Sequence, residues 1–288
     1  MHHKLNLALL TAVLLLVSLA LPGRADELAD KGREIFKKNQ RAVVTVQVVL
    51  KTKYSMPGIG AQDNESKQDL TGTVVDASGL TVLALSATDP GSMIQDMMDG
   101  MSDPDMKVKF DTELSDVKIL LEDGTELPAE VVLRDKDLDL AFVRPKTKPA
   151  SPMAAIDLSK SAQAQVLDQV ITLNRLGTAA GRAYAVSVER ISAVVQKPRL
   201  FYIPDSGMTS TTLGSPAFAL DGNLLGVLVV RSIKTKGGGF GMFDFQQEGL
   251  TAIILPAGDI LKAAKQAPEA KGEEDKQGEK KEAAKETK

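Results

Sequence analysis

The residue types that most often supply a nucleophile or its base are scarce in this sequence. The 288 residues include no cysteine and two histidines, His2 and His3, which both lie at the N-terminus. If that terminus is removed, the remaining chain has neither an imidazole nor a thiol. It then cannot use a His-dependent or Cys-dependent mechanism, bind zinc through those ligands or form a disulfide.

Methionines are concentrated in the segment 89–112, which we predict to be an insertion between strands. Met93, Met97 and Met101 are spaced by four residues, so a short helix would place them along one face. Because thioethers are soft ligands that select Cu(I), these three residues are the candidate metal site. Adaptable packing, or contact with a partner or across a cleft, is the alternative interpretation. No other metal and no cofactor are expected.

The N-terminus has the features of a secretory signal peptide. A short basic stretch that includes Lys4 precedes an apolar run over residues 7–21, and Gly23 and Ala25 then flank one variable position. This order predicts cleavage after Ala25, and therefore an exported protein that is periplasmic or extracellular. The apolar run is shorter than the roughly 20 residues that span a bilayer, so membrane attachment is expected only if the peptide stays uncleaved.

Charge and composition exclude one class of partner and characterise the C-terminus. Removal of residues 1–25 leaves 33 basic and 38 acidic residues, a net charge of -5, which does not attract nucleic acid. Residues 266–288 contain no Val, Ile, Leu or aromatic residue. Such a segment cannot bury enough apolar area to offset its ordering entropy, so we predict a disordered, charged tail.

Short β-branched runs alternate with turn signals through most of the chain. The first predicted strand covers residues 42–50, a polar loop is expected over 54–70, and turns such as Asp221-Gly222 separate later strands. This pattern predicts an all-β protein with two antiparallel six-stranded β-barrels and short N-terminal and C-terminal helices. The predicted segments are the signal peptide (1–25), an N-terminal helix (26–40), the first barrel (41–150), the second barrel with a closing helix (151–265) and the tail (266–288).

Three segments carry a resemblance to a known family. They are 71–88 (TGTVVDASGLTVLALSAT), the hairpin and strand at 117–144, and 211–226 (TTLGSPAFALDGNLLG). In order and spacing they resemble the trypsin-fold serine protease domain of the Deg/HtrA type over about residues 34–265. The resemblance implies a trypsin-like fold with a cleft between the barrels. The chain ends where such proteases usually continue into a PDZ domain, so no PDZ domain is expected.

The catalytic triad of that family falls on Ser86, Asp139 and Leu213 of this sequence. Serine cannot replace the histidine base, and leucine has no nucleophilic atom. Thr211 occupies a glycine position that shapes the family's oxyanion hole, which implies altered donor geometry there. The resemblance and these substitutions together predict a chain that is not an enzyme. Ser215, two residues after Leu213, is the fallback nucleophile, and a small residue in a tight turn is its simpler interpretation.

Three functions remain open from the sequence. The first is an exported pseudoprotease that binds an extended peptide or protein in the protease-like cleft, by adding it to a sheet edge. The second is an active serine endopeptidase in which Ser215 is a rebuilt nucleophile. The third is a structural envelope protein that uses the charged tail as a tether.

Overall fold

The chain between residues 27 and 269 is built mainly of β-strands. The computed structural model describes residues 27–56, 60–91, 109–205, 212–232 and 250–269. The predictions for the signal peptide, for Met93, Met97 and Met101, for Thr211 and for the tail beyond residue 269 lie outside these ranges. None of the helices in the described ranges has the length and apolar character needed to cross a membrane.

The first barrel contains six antiparallel strands. They are β1 (Val43–Met56), β2 (Gly60–Val74), β3 (Thr81–Ala84), β4 (Lys109–Leu120), β5 (Glu126–Asp135) and β6 (Leu140–Pro145). The barrel closes in the order β1-β2-β3-β6-β5-β4. Helix α1 (Glu27–Asn39) precedes β1, and a one-turn helix, α2 (Leu85–Thr88), follows β3. The β-branched run at the start of β1 is buried from Val43 to Val48, as its strand propensity and apolar character favour.

The second barrel repeats this architecture with the next six strands. They are β7 (Gln169–Arg175), β8 (Tyr184–Val195), β9 (Phe201–Pro204), β10 (Pro216–Ala219), β11 (Leu224–Ser232) and β12 (Leu250–Pro256). The barrel closes in the order β10-β11-β12-β9-β8-β7, and α3 (Ala257–Ala264) follows it. The predicted fold of two six-stranded antiparallel barrels with few short helices is confirmed.

The loop predicted over residues 54–70 is wrong. The chain there forms the end of β1 and most of β2, which pair in register from Val43↔Thr73 to Met56↔Gly60. Residues 62–65 are exposed on both faces of this ribbon, so they carry none of the apolar alternation that marks a half-buried strand. Pairing of the backbone groups, rather than side-chain burial, holds these polar residues in a strand.

Helix α1 covers the outside of the second barrel. Ile35 is buried in the main hydrophobic core, and a Cβ atom added at Gly32 would lie 3.5 Å from Cδ1 of Ile171 on β7. The helix backbone therefore comes close to the strand. A segment that precedes the first barrel in sequence thus packs on the second and links the two.

A partly buried ion pair joins the barrels at Asp69 on β2. Its Oδ2 accepts hydrogen bonds from Nε of Arg182 at 2.7 Å and from the Thr178 hydroxyl at 2.9 Å, both from the β7–β8 connection. Its Oδ1 accepts from the Gln47 side chain at 2.9 Å. Burial alone would raise the pKa of Asp69, but the hydrogen bonds from Arg182, Gln47 and Thr178 outweigh it and lower that pKa. The ionised carboxylate is therefore a fixed contact between the barrels.

The turn before β10 makes a second contact between the barrels. The Thr73 hydroxyl of β2 donates a hydrogen bond of 2.8 Å to the Gly214 carbonyl. Gly214 has a φ of 86°, and a Cβ atom there would lie 2.2 Å from the Thr71 carbonyl oxygen. Only glycine combines this left-handed backbone with so close an approach to β2.

We expect Asp69→Asn to lower the free energy of unfolding by about 1–3 kcal/mol at neutral pH, because Arg182 loses its charged partner. Urea unfolding followed by circular dichroism measures this change. The matched control is Asp30→Asn, which removes an exposed ion pair of the same 2.7 Å length with Arg33 and should cost less than about 0.5 kcal/mol.

The same pair predicts how stability depends on pH. Because the folded pKa of Asp69 is lowered, its contribution is fully present above its unfolded pKa and is lost as pH falls through the folded value. The difference between wild type and Asp69→Asn should therefore shrink below about pH 4. A difference that persists unchanged into strong acid would contradict this assignment.

Gly214→Ala tests the second contact. We expect it to cost about 3 kcal/mol or more, since strain at positive φ adds to a clash with backbone. The control is Gly124→Ala, where φ is 84° and no atom lies within 4 Å of the added Cβ; strain alone should cost about 1–2 kcal/mol. Equal losses in the two variants, measured by urea unfolding, would show that the close approach to Thr71 is unimportant.

Candidate functional site

The carboxylate of Asp139 joins the two barrels at the centre of the candidate site. Asp139 directly precedes β6, and its Oδ1 accepts the backbone N–H of Ser86 at 2.7 Å. Its Oδ2 accepts the Ser86 hydroxyl at 2.9 Å and the backbone N–H of Val230 at 2.7 Å. Ser86 belongs to the first barrel and Val230 to β11 of the second. One carboxylate therefore satisfies donors from both barrels.

Burial raises the pKa of Asp139. The three hydrogen bonds, from the Val230 amide, the Ser86 amide and the Ser86 hydroxyl, act in the opposite direction but do not cancel this effect. A carboxylate that is harder to ionise is a stronger base once it is ionised. The backbone of Asp139 is also unusual, with a φ of 56°, and its carbonyl accepts the Leu85 N–H at 2.9 Å.

Ser86 lies in the one-turn helix α2, immediately after the buried strand β3. Two contacts with Asp139 fix it, one through its amide and one through its hydroxyl. Its side chain is half-buried, whereas the preceding residue, Leu85, is packed in the main core. The structure therefore brings together Ser86 and Asp139, the first two residues that the sequence assigned to triad positions.

Leu213 and Ser215 lie in the turn before β10, and the carboxylate of Asp139 has no hydrogen bond with either of them among the described residues. Leu213 is 8% exposed and belongs to the same core cluster as Leu85. Ser215 is fully buried, and its hydroxyl has no hydrogen-bond partner in the described part of the chain. Its backbone is held by the Leu228 N–H, which donates to the Ser215 carbonyl at 2.9 Å. In this conformation the fallback nucleophile is shielded from solvent.

Within the described residues, strand β11 has a free edge beside Asp139. On that side β10 pairs with β11 from Leu224 to Val227 and the turn residues Gly214 and Ser215 bond Leu228, whereas β12 pairs with the other side as far as Ser232. Beyond Leu228, no strand in the described ranges occupies the first edge. The Val230 N–H points to this edge and binds Asp139, and the Ser232 N–H points the same way, since amides two residues apart share an edge.

The described ranges contain no group of three or more His, Cys, Asp or Glu residues that could hold a metal ion. The copper-binding hypothesis for Met93, Met97 and Met101 concerns residues outside those ranges and stays a prediction.

Sequence reasoning missed two features of the site. The first is the direct hydrogen bond from the Ser86 hydroxyl to Asp139, since the triad alignment assigns Ser86 to the base position and leaves Asp139 with no imidazole to orient. The second is the Val230 amide, a backbone donor that carries no side-chain signal. The first could have been found, because a serine at the base position is adjacent to the aspartate that would orient that base. The second requires coordinates.

Comparison with known proteins identifies the family. A family model described as the trypsin-like peptidase domain matches residues 71–227, which is more than half of the chain. Among solved structures, the chain is similar to the crystal structure of Deg5, with a TM-score of 0.51 and 14% sequence identity over 83% of this chain and 94% of that chain. At this identity the likeness concerns the fold. No curated protein matches the chain.

A second similar structure is the HtrA-type protease AlgW with a tripeptide, with a TM-score of 0.48 and 17% identity over 80% of this chain and 61% of that chain.

The family match corrects one prediction. The chain was expected not to be an enzyme, but the matching family is one of peptidases, and substitutions at two triad positions do not exclude a serine mechanism built on other residues. The chain therefore belongs to the trypsin-like peptidase domain family.

Proposed function

We propose that this chain acts on polypeptides and takes an extended peptide segment along the free edge of β11, in the cleft between the barrels. The observation that supports the proposal is this edge, which is unpaired beyond Leu228 in the described part of the chain and runs beside Asp139. An extended peptide that pairs with such an edge gains backbone hydrogen bonds without needing a particular sequence.

The geometry of the edge limits where the peptide can pair. The Val230 amide is already bonded to Asp139, so it cannot donate to a ligand while that bond is intact. The amide of Ser232 is the next donor on that edge. A bound peptide would therefore use the carbonyl of Val230 and the backbone groups of Ser232, with its chain passing the Ser86–Asp139 pair.

A second candidate is hydrolysis of the bound peptide by a serine hydroxyl. Membership of a peptidase family favours it. The sequence named Ser215 as the nucleophile, and its hydroxyl has no partner in the described ranges. Ser215 is fully buried, so its use requires the turn at 212–215 to open. Mass spectrometry of peptides incubated with the chain tests this candidate, because new termini appear only if a peptide bond is cut.

The features of the first 25 residues lead us to propose in addition that the protein is exported. Its ligands would then be peptides or proteins of the periplasm or the cell exterior. Export is tested by expressing the full chain and sequencing the N-terminus of the protein that accumulates. A terminus at Asp26 supports export with cleavage; an unprocessed terminus at Met1 contradicts it.

We expect a fluorescent, unstructured peptide to bind with micromolar affinity and Ser232→Pro to weaken this binding about tenfold, since proline removes one edge donor. Fluorescence anisotropy measures both. The control is Ser232→Ala, which keeps the backbone amide and should bind like wild type. The Ser232 amide points away from β12, so proline there removes no bond between β11 and β12.

A peptide methylated on alternate backbone nitrogens provides an independent check on the same edge. One of the two methylation phases should abolish binding and the other should preserve it, because only alternate amides face the edge in a paired strand. Equal binding of both methylated peptides would place the ligand elsewhere.

A further inference from the structure

We propose that Ser86 is the nucleophilic serine of this domain and that Asp139 is its general base. The pair forms a covalent acyl site for peptide bonds and esters presented in the cleft. The identity of the substrate rests on the proposed peptide-binding function, whereas the reactivity of the pair does not.

Geometry favours Ser86 over the other serine candidate. The Ser86 hydroxyl donates directly to Oδ2 of Asp139 at 2.9 Å, within the distance at which a base can take a proton. Ser86 is only partly buried as a residue, whereas Ser215 is fully buried and its hydroxyl has no hydrogen-bond partner in the described ranges. Reactivity needs both access and a base, and of these two serines only Ser86 is partly exposed and bonded to a base.

The pair is fixed before any substrate arrives. The Ser86 amide and the Val230 amide each bond the carboxylate at 2.7 Å, and the Leu85 amide bonds the Asp139 carbonyl. These contacts come from both barrels and hold the carboxylate in one orientation. A base that needs no reorganisation is the arrangement that favours proton transfer.

A second serine–aspartate pair on the surface shows what burial adds. The Ser159 hydroxyl donates to Oδ1 of Asp157 at 2.6 Å, but both residues are exposed. The hydroxyl and amide of Ser159 lower the pKa of Asp157, whereas burial raises the pKa of Asp139. Asp157 is exposed and also pairs with Lys160 at 3.7 Å, whereas Asp139 is desolvated and is therefore the stronger base.

The proposed reaction conserves every proton. The Ser86 oxygen attacks the carbonyl carbon of the substrate while its proton passes to Oδ2 of Asp139. The bond from carbon to nitrogen or to the ester oxygen then breaks, and Asp139 returns the proton to the leaving amine or alcohol. Water next attacks the Ser86 ester and gives a proton to Asp139, which returns it to the Ser86 oxygen as the carboxylic acid leaves.

The surroundings of Asp139 determine the expected pH dependence. Its pKa is set by burial and by donors from α2 and β11, and no charged side chain in the described ranges contributes to it. The acidic residues of its own hairpin, Asp135 and Asp137, do not bond it; the Asp135 carboxylate accepts from the Asp137 amide instead. Only the ionised carboxylate accepts a proton, so reactivity should rise with pH through the raised pKa of Asp139 and be lost below it.

The test uses the full chain and a fluorophosphonate probe, with the modified serine located by mass spectrometry. We expect modification at Ser86, faster than at Ser159 by about a hundredfold or more, which is the usual range for a positioned general base. The rate should increase from acid to neutral pH. Modification at Ser215 or another serine, or labelling of Ser86 no faster than of Ser159, would overturn the proposal.

Variants separate the base from the nucleophile. Ser86→Ala should abolish labelling, Asp139→Asn should slow it about a hundredfold or more and remove its pH dependence, and Ser159→Ala should leave it unchanged. Asp139→Asn alters a carboxylate that bonds both barrels, so circular dichroism must first show that the variant is folded. If it unfolds, the pH profile of the wild-type chain, which needs no variant, decides the role of Asp139.

Peptide binding distinguishes this proposal from the peptide-binding function. The wild-type chain is assayed for both activities: it should bind the fluorescent peptide by anisotropy and react with the probe at Ser86. Labelling at Ser86 without peptide binding would overturn the proposed peptide-binding function but support the roles of Ser86 and Asp139. Peptide binding without labelling would overturn those roles but support the peptide-binding function.

Discussion

A carboxylate that is removed from water must find donors, and at Asp139 those donors come from both halves of the molecule. Ser86 supplies two from the first barrel and Val230 supplies one from the second. Bonds to this one side chain therefore fix α2 and β11 relative to each other. As a consequence, the half-buried Ser86 lies beside the free edge of β11. Any shift between the barrels would leave either the carboxylate or one of its donors unpaired, which is costly in a buried site.

Other contacts make such a shift harder. Asp69 bonds Arg182 and Thr178 across the boundary, and the turn at Gly214 packs against Thr71 so closely that a Cβ atom has no room. These contacts involve β2, which bonds both the β7–β8 connection and the turn before β10. They therefore hold the two barrels together, whereas Asp139 positions the groups of the candidate site. Both sets of contacts fix the geometry of the site before a ligand binds.

The barrels could be predicted from the sequence because buried strands are rich in β-branched residues and bounded by turn residues, as at 43–48. The β1–β2 ribbon could not, since residues 62–65 are polar and exposed on both faces and are held by backbone pairing. The family resemblance assigned Ser86 and Asp139 to the triad positions of the base and the aspartate, but it gave no distance between their side chains. The contact of the Val230 amide could not be predicted from the sequence, because every residue except proline has a backbone amide.

Replacing a histidine by a serine shortens the side chain between an aspartate and the cleft. The carboxylate that would orient an imidazole then meets the serine hydroxyl directly, as it does here at 2.9 Å. An apolar residue at position 139 would avoid the cost of burying a carboxylate. It would, however, leave the amides of Ser86 and Val230 without a hydrogen-bond acceptor. The fold itself therefore requires an acceptor at this position. A required acceptor with a raised pKa, bonded to the hydroxyl of a partly buried serine, is the arrangement on which the proposed base and nucleophile rest.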